Sequence, residues 1–308
     1  MKAEMIKSQI PTSRTNPSAP CTERMEWVRY LAIAIVMLVA ITALARDNPS
    51  IDDLNKSYAG KSAMLRGFYC GSRLEFTAEG KTLVVPDAGA WTECGFIRIK
   101  KFTDKKDKLE IEGTRTGITF DDNGKFVPIA GATVKINIRK EPGMLLDPTR
   151  ALDEIFYGKD TKLIDVVPDH WKCYVEHPGL THEELRTRCS RQKLNDEIIQ
   201  KVKAGVVNPP SPKYDPDPDY TQFARMEHWQ GTTLLSVDVS SSGDIENVFV
   251  VRPLGLGLDD AAVNAVKKWK FNPAHLVSDH SPVPVSMTIE VNFHMSSQPL
   301  RFPGGPPY

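Results

Sequence analysis

The feature that most constrains this chain is an apolar run at residues 30–45, YLAIAIVMLVAITALA, whose polar groups are Thr42 and the Tyr30 hydroxyl. As a helix it spans roughly 24 Å, between a secretory core and the ~30 Å of a full membrane crossing. No polar face interrupts it, so a buried helix of a soluble domain fits poorly. Residues 1–29 carry five basic and three acidic side chains, which by the positive-inside rule keeps them cytoplasmic. The run closes on Ala43-Leu44-Ala45, a small-x-small pattern suited to signal peptidase, with Ala43 and Ala45 as the cleavage residues. Two readings stay open, an uncleaved inner-membrane anchor and a cleaved signal. Both send everything after residue 45 across the membrane.

Cysteine usage agrees with export. Cys21 precedes the run, and Cys70, Cys94, Cys173 and Cys189 form an even set beyond it, where an oxidising compartment permits two bridges. Of the three possible pairings the sequence-local one is favoured, Cys70 with Cys94 and Cys173 with Cys189. No C-x-x-C pair argues for a metal instead, and His170, His177 and His182 fit no common ligand spacing. The expected metal and cofactor complement is none. No nucleophile, base and orienting group fall at a recognised spacing either, so no catalytic residues are expected and a non-enzymatic role is the reading.

The exported part divides by pattern. Residues 46–206 begin with short alternating runs at 63–68, 73–76, 95–102, 108–113 and 133–139, separated by Ala78-Glu79-Gly80 and Asp122-Asn123-Gly124 turn signals. A β-rich domain with an antiparallel sheet follows. The lysines at 100, 101, 105, 106 and 108 interleave with Asp104 and Asp107, as on a solvated hairpin tip. After Pro148 the period turns helical, and Thr181 with Glu184 forms a capping box for a helix running toward Lys203, with Leu185, Leu194, Ile198 and Val202 on one face. Residues 207–219 form a Pro-rich linker. Its stretch NPPSPKYDPDPD holds five prolines in twelve positions and reads as a semi-rigid polyproline spacer of roughly 35 to 40 Å. Residues 220–295 then give a short helix (220–229), a strand (232–239), a Ser241-Ser242-Gly243-Asp244 turn, a strand (245–252), an amphipathic helix (258–270) and a strand (283–294). The fold class is α+β, with two helices on a three-stranded antiparallel sheet at the end of the chain, and residues 296–308 are an expected disordered tail.

Specific motifs sharpen that last region. Pro218-Asp219-Tyr220 opens it, Gln230-Gly231 precedes the first strand, and Gly243-Asp244-Ile245 marks the hairpin. Leu258-Asp259-Asp260-Ala261-Ala262-Val263 starts the helix, Lys267-Lys268-Trp269-Lys270-Phe271-Asn272-Pro273 ends it, and Pro284-Val285 leads to Val291-Asn292-Phe293. In order and spacing these resemble the C-terminal domain of TonB energy-transducer proteins. The resemblance implies capture of a short extended segment of an outer-membrane TonB-dependent receptor by strand addition, with inner-membrane motor subunits as possible further partners. Carried over, the partner-binding residues are Asp217, Pro218 and Tyr220 of the entry segment and Val285, Met287, Ile289, Val291 and Phe293 of the last strand. Thr221 stands where the family has proline. The family's intramembrane Ser and His have no counterpart at residues 31–45, and its long Pro-rich arm is replaced by residues 46–206. A soluble periplasmic interaction module without energy coupling is therefore the alternative.

Charge adds one exclusion. Lys plus Arg and Asp plus Glu are both 39, yet residues 214–295 hold five basic and eleven acidic side chains. Such a domain repels nucleic acid and anionic lipid and suits a neutral or basic partner segment.

Overall fold

The computed structural model describes residues 48–143, 145–189 and 201–295. The apolar run with Ala43 and Ala45, the helical positions Leu194 and Ile198, and the tail from residue 296 lie outside the described residues. Among the described residues no helix is long and apolar enough to cross a membrane.

Ser50 and Asp53 form a reciprocal capping box that starts helix α1 (Ile51–Tyr58). A five-stranded sheet follows, from β1 (Ser62–Met64), β2 (Arg73–Phe76), β3 (Phe96–Asp104), β4 (Lys108–Phe120) and β5 (Phe126–Arg139), in the order β1-β3-β4-β5-β2. The antiparallel expectation holds for β1, β3, β4 and β5, but β2 lies parallel to β5. The crossover from β2 carries a short helix, α2 (Trp91–Cys94), tied back by a disulfide between Cys70 and Cys94. The Asp122-Asn123-Gly124 turn closes the β4–β5 hairpin, with Asp121 Oδ1 accepting from Asn123 and Lys125 amides. At the lysine-rich tip of β3–β4 the charges pair, Lys105 with Glu110 and Lys140 with Asp104. One face of this sheet, with Leu74, Phe76, Ile97, Ile99, Ile111, Ile136 and Ile138, buries against Leu54 of α1 and Leu152 and Ile155 of α3 (Pro148–Ile155).

Helices α4 (Asp169–Glu176) and α5 (His182–Cys189) come next, joined by the Cys173–Cys189 disulfide. Both favoured pairings are thus present. Thr181 and Glu184 exchange the expected capping bonds at the start of α5.

The Pro-rich stretch departs from the spacer reading. Strand β6 (Val207–Asn208) pairs with β11 (Ala274–Leu276), and β7 (Ser211–Tyr214) pairs with β10 (Lys270–Asn272). Prolines remove donors but still permit edge pairing, so the stretch is laid along its own C-terminal region instead of standing free. The same pairing explains a second difference. Helix α7 (Leu258–Val266) ends four residues before Lys270, because Lys270 already belongs to β10.

The C-terminal sheet has the order β13-β8-β9, from β8 (Gly231–Val239), β9 (Ile245–Arg252) and β13 (Val285–Phe293), all antiparallel. Helix α6 (Gln222–Met226) is shorter than the sequence suggests, and the two-residue β12 (Pro282–Val283) pairs with β11. Along β8 every residue from Thr233 to Val239 is buried, so both faces of the central strand are covered. Helix α7 packs on β8 and β9, and α4 and α5 also pack on β9. One hydrophobic cluster accordingly contains Trp91, Ile118, Trp171, Tyr174 and Leu185 together with Phe223, Val250, Leu256 and Val266. From Pro49 onward the described residues form one compact unit.

Candidate functional site

Strand β13 sits at one end of its sheet. Its inner side pairs with β8 in register from Val285 opposite Val239 to Phe293 opposite Gly231, and among the described residues no strand pairs its outer side. Alternate main-chain groups of an edge strand point away from the sheet, leaving donors and acceptors for an incoming extended chain.

Alternation decides what the side chains do. Val285, Ile289, Val291 and Phe293 are buried and Met287 is half-buried, all within the core cluster. These five residues therefore hold the strand in place, and their side chains are not presented to a partner. Thr288, Glu290 and Asn292, on the other face, are exposed. A strand laid along β13 would read its main chain and place every second side chain beside those three. Sequence reasoning fixed the period of the strand but not which face the helices cover, and the five apolar residues it named prove to be those on the core side.

The register of β13 is pinned by a polar tie across all three strands. Asp238 of β8 is 1% exposed. Its carboxylate accepts from Ser286 Oγ of β13 and, at 2.9 Å, from Asn247 Nδ2 of β9. A one-residue slip would leave these groups buried without partners, at a cost of about 1–3 kcal/mol each.

The entry residues fall in two places. The Tyr220 ring meets Phe293 edge-on at 5.6 Å, its hydroxyl donates to the Trp229 carbonyl, and the Arg225 guanidinium lies 5.5 Å from its ring centroid. Partial burial raises its hydroxyl pKa. Asp217 is exposed at a cavity of about 370 Å³ whose lining includes Glu93, Asp260 and Lys268, and Pro218 lies half-buried between the two. Trp269 Nε1 donates to the Pro216 carbonyl at 3.0 Å, which fixes the segment just ahead of them. Thr221 turns out to be the N-cap of α6. Its hydroxyl accepts from the Ala224 amide at 3.3 Å and donates to Leu256 O at 2.6 Å, so the departure from proline supplies two bonds that proline cannot make.

The acidic start of α7 splits its two carboxylates. Asp259 is fully buried and accepts from Thr233 Oγ1 at 2.5 Å and from the amides of Leu254 and Gly255 at 2.8 and 2.7 Å. Burial pushes its pKa up to about 6 against those hydrogen bonds. Asp260 faces the other way and takes Trp171 Nε1 at 3.0 Å and His170 Nε2 at 2.9 Å from α4.

Further bonds join the same two regions. The Gly257 amide donates to Thr92 Oγ1 at 2.9 Å, and the Phe223 amide donates to Glu93 at 3.3 Å. Burial raises the Glu93 pKa. Gly257 has φ +79°, and a Cβ there would come within 2.9 Å of Thr221 and 3.1 Å of Glu93, so glycine is what the close approach permits. None of this joint was legible in the sequence, which gave no signal beyond large side chains such as Trp91 and Trp171. Among the described residues the one group with metal-compatible spacing is Cys70, Glu93 and Cys94, whose sulfurs are joined to each other.

A three-stranded antiparallel sheet carrying two helices, with β13 and β9 as its end strands, defines a small α+β domain. Residues 216–295 match the family model described as Gram-negative bacterial TonB protein C-terminal. The protein tonB2 of Pseudomonas aeruginosa is 44% identical over 62 residues, 20% of this chain and 23% of that protein. The chain thus spans about a quarter of the length of the curated relative it matches. A solution NMR structure of the Pseudomonas aeruginosa TonB CTD aligns at 20% identity over 29% of this chain and 90% of that one, with a TM-score of 0.23. Residues 216–295 are a TonB family C-terminal domain.

Proposed function

We propose that this chain is a TonB-like envelope protein whose C-terminal domain takes up an extended segment of an outer-membrane receptor along the outer edge of β13 and takes part in transport across the outer membrane. The observation that carries this reading is the unpaired outer side of β13 within a TonB family domain. Main-chain pairing supplies affinity, and Thr288, Glu290 and Asn292 supply selectivity, favouring a segment that is neutral or basic opposite Glu290. Residues 30–45 hold the chain in the inner membrane, the region after residue 45 lies in the periplasm, and motor subunits are candidate contacts of the N-terminal segment.

One observation favours the alternative, a soluble periplasmic interaction module without energy coupling. The Pro-rich stretch is paired with β10 and β11, so the domain is not carried on a free arm. The mature N-terminus separates the two readings: an intact residue 1 supports the anchored form, and a start at Arg46 overturns it. Binding is tested by placing a photoreactive residue at Thr288 in cells. An adduct with an outer-membrane receptor is the expected result, and its absence from Thr288 while adducts form from exposed Glu246 on β9 would overturn strand addition at β13.

A further inference from the structure

The five-stranded sheet has an open edge of its own. Strand β2 covers β5 only opposite residues 135–138, and among the described residues nothing pairs the outer side of residues 126–133. This stretch reads FVPIAGAT and contains no charged residue. Phe126 and Val127 are 47% and 40% exposed. Pro128, Ala130, Ala132 and Thr133 are exposed as well. Exposed strand edges are normally guarded by charged side chains, and here Pro128 is the single guard.

The main chain that faces outward can be identified. The Asp121 amide donates to Lys125 O, and the Leu256 amide donates to Ile118 O on the side of β4 away from β5. Ile118 therefore belongs to a pair that does not exchange bonds with its β5 partner, Pro128. By alternation Phe126, Pro128 and Ala130 turn their main-chain groups to the open side.

We propose that this edge is the contact between two copies of the chain, paired antiparallel about a two-fold axis at Ile129. In that register each Ala130 N–H meets the Pro128 carbonyl of the second copy. The proline's missing donor removes one bond on each side without blocking approach. The sequence is self-complementary in size. Its first half is bulky, Phe126 to Ile129, and its second half, which holds the bulge between Ala130 and Thr133, is small, so the antiparallel copy sets the bulky half of each chain beside the small half of the other. An isologous contact requires such self-complementarity, whereas a chain of unrelated sequence has no reason to match it. On the face toward the C-terminal domain the Phe223 ring covers Gly131, where a Cβ would lie 2.5 Å from it, so the contact is made along the edge. A dimer of this kind leaves β13 open in both copies and so presents two receptor-binding edges.

The test is analytical ultracentrifugation of the full chain in detergent, with Ala130→Lys, Val127→Lys and, as control, Leu145→Lys at an 87% exposed position. The expected result is a concentration-dependent dimer whose association weakens by ~10-fold or more in the two edge variants and is unchanged in the control. Amide exchange at Ala130 should also slow as concentration rises. A chain that stays monomeric up to ~100 μM, far weaker than the micromolar range of specific interfaces, would overturn the proposal. So would a dimer indifferent to both edge lysines.

Discussion

Two of the open strand edges among the described residues, those of β13 and of the first half of β5, are built differently. Along β13 beyond the buried Ser286 the side chains alternate, with apolar residues in the core and Thr288, Glu290 and Asn292 in water. Along the first half of β5 every residue but the half-buried Ile129 and Gly131 is exposed, none is charged, and the strand is held by its β4 pairing and by Phe223 packed over Gly131. An edge whose exposed residues are polar stays soluble while it waits for a partner, whereas an apolar edge calls for a permanent cover. Both regions bury polar groups, Thr92, Arg115, Thr119 and Asn137 among those of the first and Ser236 and Ser286 among those of the second. Asp238, Asp259 and Thr233 lie in the C-terminal region and fix the geometry of its sheet, while the cluster under the five-stranded sheet is apolar.

The largest expected effect breaks that polar framework. Asp259→Ala leaves the Leu254 and Gly255 amides without an acceptor in a dry site and removes one of the two acceptors near Thr233 Oγ1, and should cost about 3–5 kcal/mol in denaturant unfolding, with β8, β9 and α7 losing amide protection first. Reduction of the two disulfides comes next. Their loops of 24 and 16 residues imply about 3 kcal/mol each, and Cys70→Ser with Cys94→Ser should loosen the α2 contact to Gly257 and Phe223 without altering β13.

Asp259 also sets a pH dependence. Its pKa rises from 3.8 unfolded to about 6 folded, so the native state holds the extra proton between those values. Stability from this group is therefore greatest below about pH 4 and declines by on the order of 3 kcal/mol as pH rises through 6. Unfolding free energies of wild type and Asp259→Asn between pH 4 and 6.5 should diverge in slope, with the variant flatter. Asp260→Ala removes the partners of Trp171 and His170 and should cost about 2 kcal/mol, read as faster amide exchange across α4. Smallest in stability is Glu290→Lys. On an exposed site whose nearest cation, Arg252, is 3.9 Å away, it should change unfolding by less than about 0.5 kcal/mol while weakening capture of a basic receptor segment.

How much of this was legible follows from what each residue depends on. The hairpin of β8 and β9 and the strand β13 could be read because period-2 alternation and turn residues are local properties. Both disulfides followed from the even cysteine set and its spacing. Three features could not be read, because their causes lie far away in sequence. The parallel pairing of β2 depends on β5, some sixty residues on, and the docking of the Pro-rich stretch depends on β10 and β11. The role of Asp260 depends on Trp171, 89 positions earlier. Which face of β13 is buried could not be read for the same reason, since only the placement of the helices decides which alternate residues meet the core. Thr221 shows the converse case, where a departure from a family pattern marked a real cap.

The central claim, strand addition at β13, is tested most directly by amide hydrogen exchange. The full chain would be measured in detergent with and without the outer-membrane receptor captured through the Thr288 photoadduct. The account predicts slowed exchange at every second residue of Val285–Phe293, the main-chain groups that face outward, with β9 unchanged. Protection confined to β9 or to the five-stranded sheet, or none at all on a receptor that still binds, would contradict it.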